Sequence, residues 1–264
     1  MKKKSVLFAA ILSFGIGSSA PTALAAGPYQ SSNMGYDVSF NISWPSPEPS
    51  FGFEVVGVSH GKAFTHNDKL PQQYRLAQFG TSLPTFYMNL NAPIGSTAVA
   101  KNTESPLDCS GSGNVPVCEA HNYGWNAAQD ALSYSNGMGY HDQFLWWLDI
   151  EEANSWATST DENDATIQGA IDYLNEQNIK VGIYSMKYMW DDIAGSGFVP
   201  VEHDTDGATS TSPVPTWMPI GPSSQVSAIN ACSQKKSFIT GSPVWMVQYE
   251  LSKNFLIFDR NIVC

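Results

Sequence analysis

Residues 144–151 read Phe-Leu-Trp-Trp-Leu-Asp-Ile-Glu, an uninterrupted apolar run that ends on carboxylates. A short continuous apolar run suits a strand buried on both faces, as in a parallel sheet covered by helices. In an α/β barrel the C-terminal ends of such strands carry the chemistry. Asp149 and Glu151 are two residues apart, so in an extended chain they point to one face, with Cα atoms roughly 6.5 Å apart. Two carboxylates that close cannot both ionise freely, and one is expected to hold its proton. A proton donor beside an anion is what glycoside hydrolysis needs. The competing reading is a strand end whose acids cap the next helix. Glu152 should point away and is read as structural.

The rest of the chain supplies the other strands a barrel requires. Gly35–Ser39 reads as a first strand, Phe53–Ser59 as a second, Leu83–Leu90 as a third and 145–149 as the fourth. Ile179–Ser185 is a fifth. Pro215–Ile220 is a weak sixth, because its prolines remove ladder donors. Pro243–Tyr249 is a seventh, and Phe255–Phe258 leads into Asp259-Arg260-Asn261 as an eighth. Helices are expected over Asp68–Gly80, Trp125–Tyr134, Glu162–Gln177 and, more briefly, around Trp190 and over Val226–Cys232. Residues 92–121 and 195–213 read as Gly/Ser/Pro-rich loop insertions. The expected fold is a single α/β domain, a TIM-type (β/α)8 barrel, somewhat irregular, with long loops. A doubly wound open sheet is the alternative, but no Gly-rich dinucleotide turn follows any strand.

The N-terminus bounds where the protein acts. Lys2, Lys3 and Lys4 precede an apolar stretch from Val6 to Ile16 and an Ala23-Leu24-Ala25 cleavage pattern. Residues 1–25 therefore read as a secretory signal and 26–264 as one glycoside hydrolase-like barrel domain. The apolar stretch is too short to span a membrane, and no later one is long enough. Secretion, with no stable membrane insertion, is expected. The full chain carries a net charge of −11, which falls to about −14 once the three leading lysines are gone. That argues against nucleic acid as a partner, since phosphate binding needs clustered Lys and Arg. It also fits poorly with simple attraction to an anionic cell wall; acidic conditions or another glycan would ease that conflict.

All four cysteines lie beyond the signal. An even count in an exported chain suggests two disulfides. Cys109 with Cys118 is the first choice, which leaves Cys232 with Cys264; the spacings do not match usual zinc patterns. His60 and His66 share one polar loop, but no third metal ligand stands at a suggestive spacing, so polar contacts at a site mouth are preferred. No metal or other cofactor is expected.

Taken in order, these motifs resemble glycoside hydrolase family 25, the peptidoglycan muramidases. Gly35-Tyr36-Asp37-Val38-Ser39 resembles that family's first-strand G-x-D-V-S, and Asp149-Ile150-Glu151 its fourth-strand D-x-E. Val247-Gln248-Tyr249 resembles its W-Q-Y, with Val247 where Trp is usual, and Asp259-Arg260-Asn261 its final D-x-N. A subgroup of exported bacterial proteins related to that family is more similar still, through Gly61–Asn67, Tyr87–Asn89, Tyr123–Ala128 and Trp147–Glu151. The chain departs at the second strand, with Val-Ser-His-Gly-Lys-Ala in place of a Lys-Ala-Thr-Glu-Gly pattern. Chitinase-type barrels need D-x-D-x-E, and Trp147 stands where the first Asp should be.

The resemblance implies hydrolysis of a β-1,4 bond in an N-acetylated, peptidoglycan-type glycan by a monomer. Glu151 would be the general acid, and the sugar's own acetamido group the nucleophile. Asp149 would orient that group, while Asp37 and Asp259 would shape the field. Asn89, Tyr184, Trp217 and Gln248 lie at expected strand ends and are candidate sugar contacts. A non-catalytic glycan-binding or envelope protein on the same barrel is the second reading. A metal-dependent hydrolase using these carboxylates with His60 or His66 is the third.

Overall fold

The computed structural model describes residues 29–30, 33–41, 51–94, 103, 105–141, 143–203, 211–253 and 256–264. The signal-like segment 1–25 lies outside them, as do parts of both long insertions. Eight strands close a barrel: β1 (Met34–Val38), β2 (Phe53–Gly57), β3 (Thr85–Asn89), β4 (Leu145–Asp149), β5 (Lys180–Tyr184), β8 (Thr216–Pro222), β9 (Val244–Lys253) and β10 (Leu256–Val263). Neighbours follow the order β1-β10-β9-β8-β5-β4-β3-β2. The barrel is mixed rather than wholly parallel. β10 pairs antiparallel with both β9 and β1, and the other barrel pairs are parallel. β10 therefore descends from the mouth, so its early residues, not its late ones, stand level with the C-terminal ends of the parallel strands.

The remaining strands, β6 (Val201–His203) and β7 (Thr211–Pro213), form a small hairpin where a loop was expected. The helices are α1 (Leu70–Ala77), α2 (Val115–Gly137), α3 (Thr160–Glu176), α4 (Lys187–Ile193) and α5 (Gln225–Gln234). α2 begins inside the expected 92–121 loop. Asn114 caps it by accepting from the Val117 N–H, and Pro116 sits in the first turn, where its missing N–H costs nothing. The structure joins Cys109 to Cys118 just before and within that first turn, and Cys232 in α5 to Cys264 after β10.

Period-2 alternation divides the core. One set of strand side chains packs outward against the helices and includes Val56, Phe86, Trp146, Leu148, Val181 and Ile183. The other fills the barrel interior: Phe53, Val55, Tyr87, Leu145, Trp147, Trp217 and Met246. Tyr29 closes this interior layer by stacking on Phe53, with centroids 4.1 Å apart, while its hydroxyl bonds Thr85. Two large rings fit inside because the facing strand has no side chain there. Gly57 is in register with Tyr87 and Gly182 with Trp147. A Cβ at Gly182 would lie 2.3 Å from the Trp147 ring, and one at Gly57 would lie 2.8 Å from that of Tyr87.

α2 and α3 approach through glycines in the same way. A Cβ at Gly124 would lie 1.9 Å from the Thr166 carbonyl oxygen, and one at Gly169 would lie 2.1 Å from that of His121. Gly124→Ala must push the helices apart in a close-packed interior. Chemical denaturation should show it less stable by about 1–3 kcal/mol, with the cavity chemistry intact. An unchanged midpoint would contradict this packing.

Candidate active site

The barrel mouth opens on a cavity of about 310 Å³ lined by Asp37, Ser39, Phe40, Asn41, Tyr87, Asn89, Asp149, Glu151, Tyr184, Trp217, Gln248, Glu250 and Asp259. All eight residues singled out from the sequence as catalytic or sugar-binding candidates stand on this wall. They come from β1, β3, β4, β5, β8, β9 and β10, so the constellation exists only once the barrel has closed.

Asp37 is the penultimate residue of β1 and is 8 % exposed. Gln248 Nε2 donates to both its oxygens at 3.0 Å, and Asn261 Nδ2 donates to Oδ1 at 2.7 Å. These donors are themselves held: Tyr184 donates to Gln248 Oε1 at 2.8 Å, and Trp217 Nε1 donates to Asn261 Oδ1 at 2.8 Å. Burial pushes the Asp37 carboxyl well above the ordinary range, Asp259 pushes it further, and the Gln248 and Asn261 hydrogen bonds pull it back.

Asp149 ends β4. Its Oδ2 accepts from Asn89 Nδ2, while its Oδ1 is buried with no hydrogen-bond partner among the described residues. Burial first, then the charges of Glu151 and Asp37, drive its pKa well up. Glu151 lies in the turn after β4 and is raised by burial and then by Asp259. That turn is pinned from several sides. The Glu151 carbonyl accepts from Trp156 Nε1 at 2.8 Å and from the Asn154 N–H at 3.1 Å, and Ser185 Oγ donates to the Ile150 carbonyl at 2.7 Å. Asp259 is lifted to about 6 by burial and then by Glu250 opposite it in the β9–β10 ladder. Glu152 is exposed and lines no part of the cavity.

Aromatic rings support one side. Trp217 meets Tyr184 at 4.6 Å and Trp147 at 5.5 Å between centroids, both edge-to-face. Burial and the surrounding carboxylates keep the Tyr87 and Tyr184 phenols firmly protonated. The two loop histidines have separate duties. His60 packs on Phe40 at 4.1 Å, whereas His66 bonds Asp130 at 2.9 Å and stacks on Tyr134. Among the described residues, no group of three or more His, Cys, Asp or Glu side chains is placed to hold a metal ion.

Asn261, Ser59, Tyr87 and Glu250 belong to this site or its support but received no role from the sequence. Alternation could have found three of them. Asn261 follows Asp259 by two, Tyr87 precedes Asn89 by two, and Ser59 continues the inward series Val55, Gly57.

Comparison with known proteins places the fold. A family profile described as "Lysozyme-like protein 1" matches residues 116–203, the third of the chain that holds Asp149 and Glu151. No curated protein sequence matches. Among solved structures, a family GH25 lysozyme from Aspergillus fumigatus superposes with TM-score 0.54 at 13% identity, covering 89% of this chain and 95% of that one. The muramidase from Acremonium alcalophilum gives 0.53 at 13% identity, over 88% and 93%. The bacterial lysozyme from Streptomyces coelicolor gives 0.50 at 16%, over 88% and 92%. Over residues 116–203 the chain is thus similar in sequence to a lysozyme-like family, and over nearly its whole length it carries the irregular barrel of the GH25 lysozymes and muramidases.

Proposed function

We propose that this protein is an exported, lysozyme-like glycosidase that cleaves β-1,4 bonds in an N-acetylated glycan of the peptidoglycan type. The observation that carries the reading is the convergence of Asp37, Asp149, Glu151 and Asp259 on one cavity, where burial first and neighbouring carboxylates second raise all four pKa values. A carboxyl that keeps its proton near neutrality is a general acid, and strongly perturbed carboxyls in a cleft mark functional sites. The signal-like leader, the two disulfides and the lack of any described helix able to cross a membrane fit work outside the cytoplasm.

Glu151 is the proton donor to the leaving oxygen. It is the more exposed of the β4 pair and stands on a pinned turn, within reach of a bound glycan. Asp149 faces the same cavity with one oxygen held by Asn89 and the other uncommitted. Asp149 orients the acetamido group that attacks the anomeric carbon and stabilises the charge developing on it. The sugar thereby supplies its own nucleophile, as in substrate-assisted hydrolases. Asp259 adds negative charge that favours an oxocarbenium-like transition state and helps hold the proton on Glu151, and Asp37 shapes the same wall. Tyr184, backed by the buried Trp217 ring, faces the sugar, and Gln248 offers polar contacts. The acid works as a monomer on a polysaccharide and needs no cofactor.

Tryptophan fluorescence separates this from a binding module on the same barrel. N-acetylated oligosaccharides should perturb the tryptophan emission of both the wild type and Glu151→Gln, with turnover in the wild type alone. Perturbation without turnover in the wild type would favour the binding module. Asp259→Asn gives a second check. Removing that charge lets Glu151 release its proton at lower pH, so the alkaline limb of the activity profile should move to lower pH. A limb that stays in place would remove Asp259 from the field at Glu151.

A further inference from the structure

We propose that Ser59 is a positioning residue for Asp149, acting through Asn89, and that Asn89 serves as a fixed donor to that carboxylate. The inference rests on the glycosidase reading of the site and deepens it. It reassigns Asn89, which was singled out as a sugar contact.

The hydrogen bonds leave little freedom. Ser59 follows the end of β2, and Asn89 ends β3; they are 2 % and 8 % exposed. The Asn89 backbone N–H donates to Ser59 Oγ at 2.8 Å, and Ser59 Oγ donates back to Asn89 Oδ1 at 2.9 Å. A hydroxyl has one proton. With its oxygen accepting from the backbone, that proton goes to the side-chain carbonyl of Asn89. The amide is then locked with Nδ2 facing outward, where it donates to Asp149 Oδ2. Asn89 and Asp149 are in register across β3 and β4, so the contact is built into the ladder.

Because the donor is fixed, the amide favours a charged Asp149 over a neutral one at Oδ2. The other charged residues described on the cavity wall oppose that charge. Glu151 on the same strand end and Asp37 from β1 repel it, and Asp259 from β10 and Glu250 from β9 add negative charge to the same cavity. Tyr87 from β3, Tyr184 from β5 and Gln248 from β9 are uncharged. Without the Ser59 hydroxyl the amide can turn over. A carbonyl facing Oδ2 repels a carboxylate but accepts a proton from the acid, so the neutral form gains.

The experiment compares wild type, Ser59→Ala and Ser59→Thr by two readouts. In reducing-end assays on purified peptidoglycan, Ser59→Ala should lose roughly ten- to a hundredfold in kcat with KM little changed, the scale of one hydrogen bond to a charged group. The acid limb of its pH profile should move to higher pH, and Ser59→Thr, which keeps the hydroxyl, should restore both. Independently of turnover, ¹³C NMR of aspartate carboxyls, with Asp149→Asn to assign the signal, should place the Asp149 midpoint higher in Ser59→Ala than in the wild type and Ser59→Thr. A folded Ser59→Ala whose Asp149 midpoint is unmoved overturns the proposal, whatever its turnover. A shifted midpoint in a wild-type background that cleaves no glycan would uphold the positioning role and defeat the glycosidase reading instead.

Discussion

Glu151→Gln should lose roughly a hundred- to ten-thousandfold in kcat on the glycan substrate, the usual contribution of a positioned general acid, while binding of N-acetylated oligosaccharides persists. The substitution keeps the side-chain volume and removes only the proton that the leaving oxygen must receive. The backbone holding residue 151 does not depend on the carboxyl. It is fixed by Trp156 and Asn154 on the carbonyl side and by Ser185 on the preceding peptide. The variant should therefore fold as the wild type does. A substrate whose leaving group needs no proton, such as an activated aryl glycoside, should be affected far less. The pH dependence follows the same logic. The wild type should be active where Glu151 retains its proton, and burial with Asp259 should extend that range upward. A Glu151→Gln profile should lack this alkaline limb. Equal loss on activated and natural substrates would mean that residue 151 does something other than protonate.

Glu54→Gln should flatten the dependence of folding stability on pH, and this is the largest stability effect expected from one side chain outside the cavity. Glu54 is fully buried in β2, and neither carboxyl oxygen has a hydrogen-bond partner among the described residues. Alternation turns it away from the barrel interior, onto the outer face with Tyr36, its partner in the β1–β2 register. Burial, and then the charge of Asp37, raise its pKa from the ordinary 4.5 to about 8. A group whose pKa is higher folded than unfolded gives the folded state its full advantage below the unfolded value. That advantage is lost as pH climbs from about 4.5 to about 8. The loss is on the order of 3–5 kcal/mol by the upper end of that window. Urea unfolding at pH 5 and pH 8.5 should show the wild type falling by that amount and Glu54→Gln falling much less. Parallel curves would mean that Glu54 is solvated when charged.

The two predictions share a cause. Like charges raise carboxyl pKa values in the cavity, and Asp37 does the same to Glu54, so in both places protons are held to higher pH than on a free side chain. If the substrate is an anionic wall glycan, protonation at the site would remove part of its repulsion from a chain of net charge −11.

Much of this was legible because the pattern is local. The 144–151 run announced a buried strand with acids at its end, and period 2 put Asp149 and Glu151 on one wall. The direction of β10 was not legible. A strand reads the same in either sense, and only pairing with β1 and β9 shows that Asp259 reaches the mouth from the start of its strand. The start of α2 was missed because Gly and Ser around Cys109 outweighed the Asn114-Val115-Pro116 start signal. The Tyr123–Ala128 motif suggested family likeness but not its reason. Gly124 is there so that α2 can touch the α3 backbone, a contact between segments more than forty residues apart. Asn89 looked like a sugar contact because it ends a strand, whereas its partners, Ser59 and Asp149, come from the strands on either side.

The most direct test is the release of new reducing ends from purified peptidoglycan and from chitin oligomers across pH, wild type beside Glu151→Gln. The expected result is release by the wild type, strongest on the acidic side of neutrality, that all but disappears in the folded mutant. Equal release by the two proteins would contradict the assignment of Glu151, and no release by folded wild type on either glycan would contradict the glycosidase itself.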